Sequence, residues 1–302
     1  MLADLKETAV LRVRPVVFTS RIEPWRKLLT AAGLVCAADH DGAWLEFDAA
    51  SGRVGLHRVE AGNPADGRVE LGFEVRDLDE FARRTAADGT QVAIEDADHG
   101  RAARVTAPSG FSFLAEPASP SFGNHPGPDQ PDPALAVMPA WVTPDVPGAV
   151  ATLRGIGAHP RFGEPGEWAD FAAKNGGLVG VRHGATDHLE LSFEYDDDLA
   201  ALRDRLTAAG IACSPAEEAV GENLLVEHPD GADLSASRPA GAELAAVGQA
   251  GALAAVGRVG ALAAVEPGAG RVAVEPGTGQ TAARYLRFTV RPDSPAGSAD
   301  AD

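Results

Sequence analysis

The chain has 302 residues, and 26 Lys+Arg against 44 Asp+Glu give a net charge of −18, which disfavours nucleic acid and anionic membrane surfaces as partners. The length suits about two domains, and 45% hydrophobic content excludes a chain disordered throughout. Two cysteines, Cys36 and Cys213, exclude a disulfide framework or a Cys-rich zinc site, and no apolar run reaches the length of a membrane-spanning helix.

Met1 to Val10 carries Asp4, Lys6 and Glu7 and lacks an apolar core, so it does not read as a secretory signal; a cytoplasmic protein is expected. Leu11 to Thr19 is β-rich. Glu23 to Ala32 predicts a helix with Trp25, Leu28 and Leu29 on one face and Gly33 as its stop. Val35–Ala38 and Ala43–Phe47 predict a hairpin across Asp41-Gly42, and Val54–Val59 a further strand. The pattern then restarts. Val69–Val75 is a strand, Leu78–Ala87 a helix, and three strands follow, the last two joined by Pro108-Ser109-Gly110.

Pro117 to Pro133 holds six prolines among polar residues and reads as a stiff linker. Beyond it the grammar returns: strand Leu135–Thr143, helix Val146–Ile156, three strands, strand Leu189–Tyr195, helix Leu199–Ala209, and a hairpin turning at His228-Pro229-Asp230-Gly231. Leu-Thr-Ala-Ala-Gly occurs at 29–33 and again at 206–210, each time at a helix end before a strand. From Pro239 to Gly279 the chain is nearly all Ala, Gly, Val, Leu, Glu and Pro, with a period of nine set by Leu244, Leu253 and Leu262. That stretch reads as an expanded linker or as a short solenoid-like stack. Arg284–Arg291 alternates as a strand that could return to a sheet edge, and a polar acidic tail ends the chain. Cys36 and Cys213 read as small buried hydrophobes.

Repeated βαβββ modules resemble the vicinal-oxygen-chelate superfamily, which includes glyoxalase I, extradiol dioxygenases and bleomycin-resistance proteins. The resemblance rests on Phe73-Glu74-Val75-Arg76-Asp77 and Phe193-Glu194-Tyr195-Asp196-Asp197 as strand-to-helix passages. It rests also on Ala107-Pro108-Ser109-Gly110 and His228-Pro229-Asp230-Gly231 as final hairpins. It implies an α+β fold of four modules with curled mixed sheets, arranged as tandem domains over 11–118 and 135–238. A linker over 119–134 and a largely flexible extension over 239–302 complete the organisation. It also implies cavities whose metal-ligand positions, counted from these motifs, fall on Arg14, Leu56, Glu70 and Leu114 and on Met138, Val181, Glu190 and Ser235. A slip of one residue on a short strand would substitute His57 for Leu56 and Arg182 for Val181. Either way the ligand count falls short of the three or more protein ligands such ions take, so no metal and no other cofactor is expected, with a divalent metal as the alternative.

The resemblance then implies metal-independent binding of a small molecule, an antibiotic or a metabolite. Glu70, Glu190, Arg14, His57, His188 and Trp141 are the candidate contacts. A lyase, isomerase or dioxygenase working through a metal or a bare acid–base pair is the alternative, and a degenerate structural module a further one. Tandem fusion suits a monomer, with a homodimer as the alternative; neither nucleic acid nor membrane is an expected partner.

Overall fold

The computed structural model describes residues 11–97, 100–118, 130–218, 221–230 and 285–290. The first half runs β1 (Leu11–Val13), β2 (Val16–Thr19), α1 (Ile22–Ala32), β3 (Val35–His40), β4 (Trp44–Asp48), β5 (Arg53–Arg58), β6 (Val69–Glu70), β7 (Gly72–Val75), α2 (Leu78–Ala87), β8 (Gln91–Ala97), β9 (Gly100–Thr106) and β10 (Ser112–Pro117). The second half repeats it: β11 (Leu135–Val137), β12 (Ala140–Thr143), α3 (Val146–Gly155), β13 (His159–Glu164), β14 (Trp168–Ala172), β15 (Leu178–His183), β16 (His188–Glu190), β17 (Ser192–Tyr195), α4 (Leu199–Ala208), β18 (Cys213–Glu218), β19 (Gly221–Glu227) and β20 (Tyr285–Val290).

These strands form four five-stranded sheets, ordered β3-β4-β5-β2-β6, β1-β7-β10-β9-β8, β13-β14-β15-β12-β16 and β11-β17-β20-β19-β18. Each is mixed, with one parallel pair inside an otherwise antiparallel ladder. Pro15 and Pro139 lack the N–H a continuous ladder needs, so the opening strand of each domain is split there. β1 joins the second sheet while β2 stays in the first, and β11 and β12 divide likewise. The exchange ties two modules into one domain.

Helices α2, α3 and α4 start on aspartates whose carboxylates accept backbone N–H groups: Asp77 from Glu80, Asp145 from Gly148 and Asp198 from Ala200; α1 starts at Arg21 without a side-chain cap. Their apolar faces build two cores that cross the domain boundary. Trp25, Leu28 and Leu29 of α1 pack with Leu202 and Leu206 of α4 and with Phe193 and Phe288. Leu78 of α2 joins Val146 and Leu153 of α3, Phe73, Phe113 and Phe171. The first module thus backs onto the fourth and the second onto the third.

Two hairpin tips clasp the halves. Ser51 donates to Leu135 O (3.3 Å) and Val137 donates to Ser51 O (2.8 Å), while Asn175 donates to Leu11 O (2.9 Å) and Val13 to Gly176 O (3.0 Å). The tips meet at Gly177, whose φ is +85°; a Cβ there would lie 2.4 Å from Val13 Cβ, so both conformation and space require glycine. Asp230 adds a third tie, accepting from Thr19 Oγ1 (2.8 Å) and Trp25 Nε1 (2.7 Å). His228 stands edge-on to Trp25 at 4.9 Å, and burial pushes its imidazole down to about 4.

One boundary read from the sequence is corrected. The fourth module does not end before residue 239. β20 lies inside its sheet, parallel to β17 and antiparallel to β19, rather than at an edge or in a flexible extension. The turn at Asp230-Gly231 suggests an immediate return, but alternating Leu286, Phe288 and Val290 supply the strand that fits the core. The nonapeptide repeat, Ser235 and residues 119–129 of the linker lie outside the described residues. The cysteines also differ from expectation: Cys36 is exposed and Cys213 half-buried. Among the described residues, no helix is long and apolar enough to cross a membrane.

Candidate functional site

Strand alternation sends one set of side chains toward the helices and the other onto a concave face. Leu56 and Val181 belong to the helix-side cores. The positions counted from the motifs are therefore one residue out on these short strands, and His57 and Arg182 take the concave face. Trp141 is also core: it is 1% exposed, packs 4.6 Å from Phe111, and donates from Nε1 to Asp187 (3.0 Å). This removes it from the candidate ligand contacts.

The concave face of the first domain is filled with charge. Arg53, wholly buried, donates from Nε and Nη2 to Asp48 (2.5 and 3.0 Å) and from Nη1 to Glu46 (2.5 Å) and Glu74 (3.3 Å). Arg12 pairs with Glu74 (2.5 Å) and lies 3.7 Å from Asp48. Arg14 bonds Glu116 and reaches Glu46 at 3.4 Å and Glu74 at 3.7 Å, with its guanidinium 5.3 Å from the Trp44 ring. Burial lowers the Arg14 pKa, partly offset by Glu74 and Glu46. At Arg53 burial also opposes the charge, but Asp48, Glu74 and Glu46 more than compensate and hold its pKa above the ordinary value. Arg14 is therefore one member of a structural network whose most buried cation is Arg53.

The registers give the matching face of the second domain. Arg12 stands opposite Glu74 as Ala136 stands opposite Glu194, and Asp48 opposite Arg53 as Ala172 opposite Leu178. Met138 replaces Arg14, Asp170 replaces Glu46, and Thr289 replaces Glu116. Two of the three arginines have thus become aliphatic or small, and the third is a methionine. The Arg161 guanidinium enters from β13 and holds Glu194 through Nη2 at 3.2 and 2.9 Å. Asp170 is 8% exposed and makes no hydrogen bond among the described residues. Burial lifts its carboxyl to about 6, Arg161 opposing and Glu194 reinforcing the shift. Asp170 Oδ1 and Met138 Cε cover the same spot over Gly180, at 3.5 and 3.3 Å from where a Cβ would stand.

The remaining sequence candidates fall into two groups. Glu190 bonds Arg182 and lies 3.3 Å from His188 Nε2, on the same face of the third sheet as Gly180. Glu70, its counterpart, is half-buried and pairs with Arg68 at 3.2 Å, and His57 packs between Phe18 (5.1 Å) and Trp44 (5.9 Å). Sequence reasoning missed Glu46, Asp48, Arg53, Glu116, Arg161 and Asp170. The available signal was acidic residues on alternate positions of Trp44-Leu45-Glu46-Phe47-Asp48, with a thinned copy in Trp168-Ala169-Asp170-Phe171.

Four βαβββ modules, paired through split first strands, are the architecture the sequence resemblance implies. The chain carries the vicinal-oxygen-chelate fold. Among solved structures, a 2,3-dioxygenase from Pseudomonas sp. KL28 is 13% identical, with 73% of this chain and 88% of that one covered at a TM-score of 0.49. Homoprotocatechuate 2,3-dioxygenase from Brevibacterium fuscum, in complex with 3,4-dihydroxyphenylacetate, is 15% identical over 74% of this chain and 78% of its own, with a TM-score of 0.49. A Mn(II)-bound glyoxalase from Novosphingobium aromaticivorans is 15% identical over 73% and 77%, with a TM-score of 0.48. No protein-family model and no curated protein matches the sequence.

Metal-using vicinal-oxygen-chelate proteins need convergent imidazole and carboxylate tips, and the residues here do not fit that need. In the first domain a guanidinium occupies the first-strand position and is itself held by carboxylates. In the second, Met138 takes that position and Glu190 is bonded to Arg182. The register moves the last-strand position from Ser235 to Arg287, opposite Ser192 as Leu114 is opposite Gly72. Among the described residues, no three His, Cys, Asp or Glu side chains are grouped to hold a metal ion.

Proposed function

We propose that this protein binds a small organic molecule, an antibiotic or a metabolite, without a metal ion, on the concave face of its second domain. The observation that carries this reading is the contrast between two equivalent faces. In the first domain Arg12, Arg14 and Arg53 are each ion-paired with Glu46, Asp48, Glu74 or Glu116, so the carboxylates of that face are already engaged. In the second, Ala136, Met138, Ala172 and Leu178 give an apolar floor, and Asp170 stands over it without a hydrogen bond. Apolar walls with a few convergent polar groups are the usual make-up of a ligand site. Glu190, Arg182 and His188 add polar contacts on the same face. The first domain acts as scaffold.

The test is a thermal-shift panel of natural-product antibiotics and aromatic metabolites on the full chain, with and without chelator. A binder raises the melting temperature by mass action. A shift that survives chelator and disappears in Ala172→Phe, which fills the second face, supports the reading. A shift that needs stoichiometric metal, or persists in Ala172→Phe, contradicts it.

A further inference from the structure

The second face holds two groups of opposite hydrogen-bonding character that have no partner among the described residues, the Asp170 carboxylate and the buried Arg161 Nη1. Asp170, when ionised, only accepts. It is more than nine-tenths buried and has no donor among the described residues. Arg161 only donates, and its Nη1 is buried without a partner while Nη2 serves Glu194. No ion pair joins Asp170 to Arg161, although they sit on the paired strands β13 and β14, where the register shifts between Pro160 and Gly163. A bulge of this kind re-aims the side chain it carries, here Arg161.

The first domain shows what a satisfied version looks like. There Glu46, the counterpart of Asp170, accepts from Arg53 at 2.5 Å and Arg14 at 3.4 Å. The second domain keeps the carboxylate and replaces both arginines, by Leu178 and Met138. A buried polar atom left without a partner costs stability, so Arg161 Nη1 beside a carboxylate it does not bond calls for an explanation.

Charge narrows the class of partner. An anion would meet Asp170 and Glu194, while the guanidiniums of this face are already engaged, Arg161 through Nη2 with Glu194 and Arg182 with Glu190. A simple cation would satisfy Asp170 and leave Nη1 without an acceptor. A group that offers N–H and a carbonyl oxygen side by side answers both. Resting on the binding reading above, we propose that the ligand presents a carboxamide, lactam or ureide group, whose N–H donates to Asp170 and whose oxygen accepts from Arg161 Nη1. Met138 and the apolar floor take the rest of the molecule.

The experiment uses the full chain and named fragments: hydantoin and 2-pyrrolidinone, the ester γ-butyrolactone, which lacks the N–H, methylammonium and acetate. Binding is followed by NMR line shifts in wild type, Asp170→Asn, Asp170→Leu and Ala172→Phe. Hydantoin or the lactam is expected to bind at least about tenfold more tightly than the ester, the value of one lost hydrogen bond in a desolvated site. That preference disappears in Asp170→Leu and weakens in Asp170→Asn. Asp170→Leu without ligand is expected to melt no lower than wild type, which shows that lost binding is not lost folding. Preference for methylammonium or acetate, or equal binding of the ester, overturns the proposed class. If panel compounds bind the second face while hydantoin and the lactam do not, the class fails and the binding reading stands. If nothing binds there, both fail.

Discussion

The two domains share one fold and one set of strand positions, yet their concave faces have opposite contents. The first packs Arg12, Arg14 and Arg53 among Glu46, Asp48, Glu74 and Glu116. The second keeps Asp170, the Arg161–Glu194 and Arg182–Glu190 pairs, and a floor of small and aliphatic groups. The difference teaches that a curled sheet pair does not by itself make a cavity. Its inward positions decide between a site and a core, and a core can be built from ions when every charge is paired. Such a network is weak evidence of net stability, because desolvation opposes Coulomb attraction, but breaking it from one side is costly.

The largest effect should therefore come from Arg53→Met. It strands Asp48, Glu46 and Glu74 in a buried site, and a cost of about 3–5 kcal/mol is expected. That corresponds to a fall in melting temperature on the order of 10 °C for a chain of this size. A change near zero would mean that the ion pairs do not close the first face, and the contrast between the domains would vanish. Next comes Gly177→Ala in the clasp, where the new Cβ meets Val13 and the backbone is left-handed. A loss of about 1–3 kcal/mol is expected, read by chemical denaturation. If the halves instead unfold in two separate steps in wild type, the clasp does not couple them.

Asp170→Leu sharpens the comparison from the other side. Its folded carboxyl titrates near 6 against an ordinary 3.8, so the folded state holds the proton more tightly. The stability this group contributes is full below about pH 4 and is lost as pH rises through about 6. The Leu variant should lack that slope and match or exceed wild type at pH 7. A steeper slope, or a lower melting point, would show Asp170 satisfied in the fold. The smallest effects belong to Glu70→Gln and His188→Gln, whose own side chains are partly in solvent; shifts within about 0.5 kcal/mol are expected in a urea titration.

Much of the fold was legible because its signals are local. Asp41-Gly42, Gly33 and the capping aspartates mark turns and helix ends within a few residues, and the Leu-Thr-Ala-Ala-Gly repeat exposes the duplication. What was not legible is non-local. β20 is separated from β19 by the segment between Asp230 and Tyr285, so no short-range pattern connects them. Leu56 and His57 differ by one position on a strand, and only pairing with Val17 and Phe18 fixes which one faces inward. Arg53 looks like a loop-edge charge until the fold brings Glu74 to it across 21 residues of sequence. The candidate site was legible only in part: Glu190 and His188 lie on the right face, while Asp170 and Arg161 gain meaning only beside their counterparts in the first domain.

The most direct test is a crystal structure of the full chain grown with the best stabilising compound from the panel. The account predicts the compound over Gly180, within hydrogen-bond distance of Asp170, with Arg53 still bound to Asp48 in a first domain that holds no ligand. A compound or a metal ion seated among Arg12, Arg14 and Arg53, with those ion pairs opened, would contradict it.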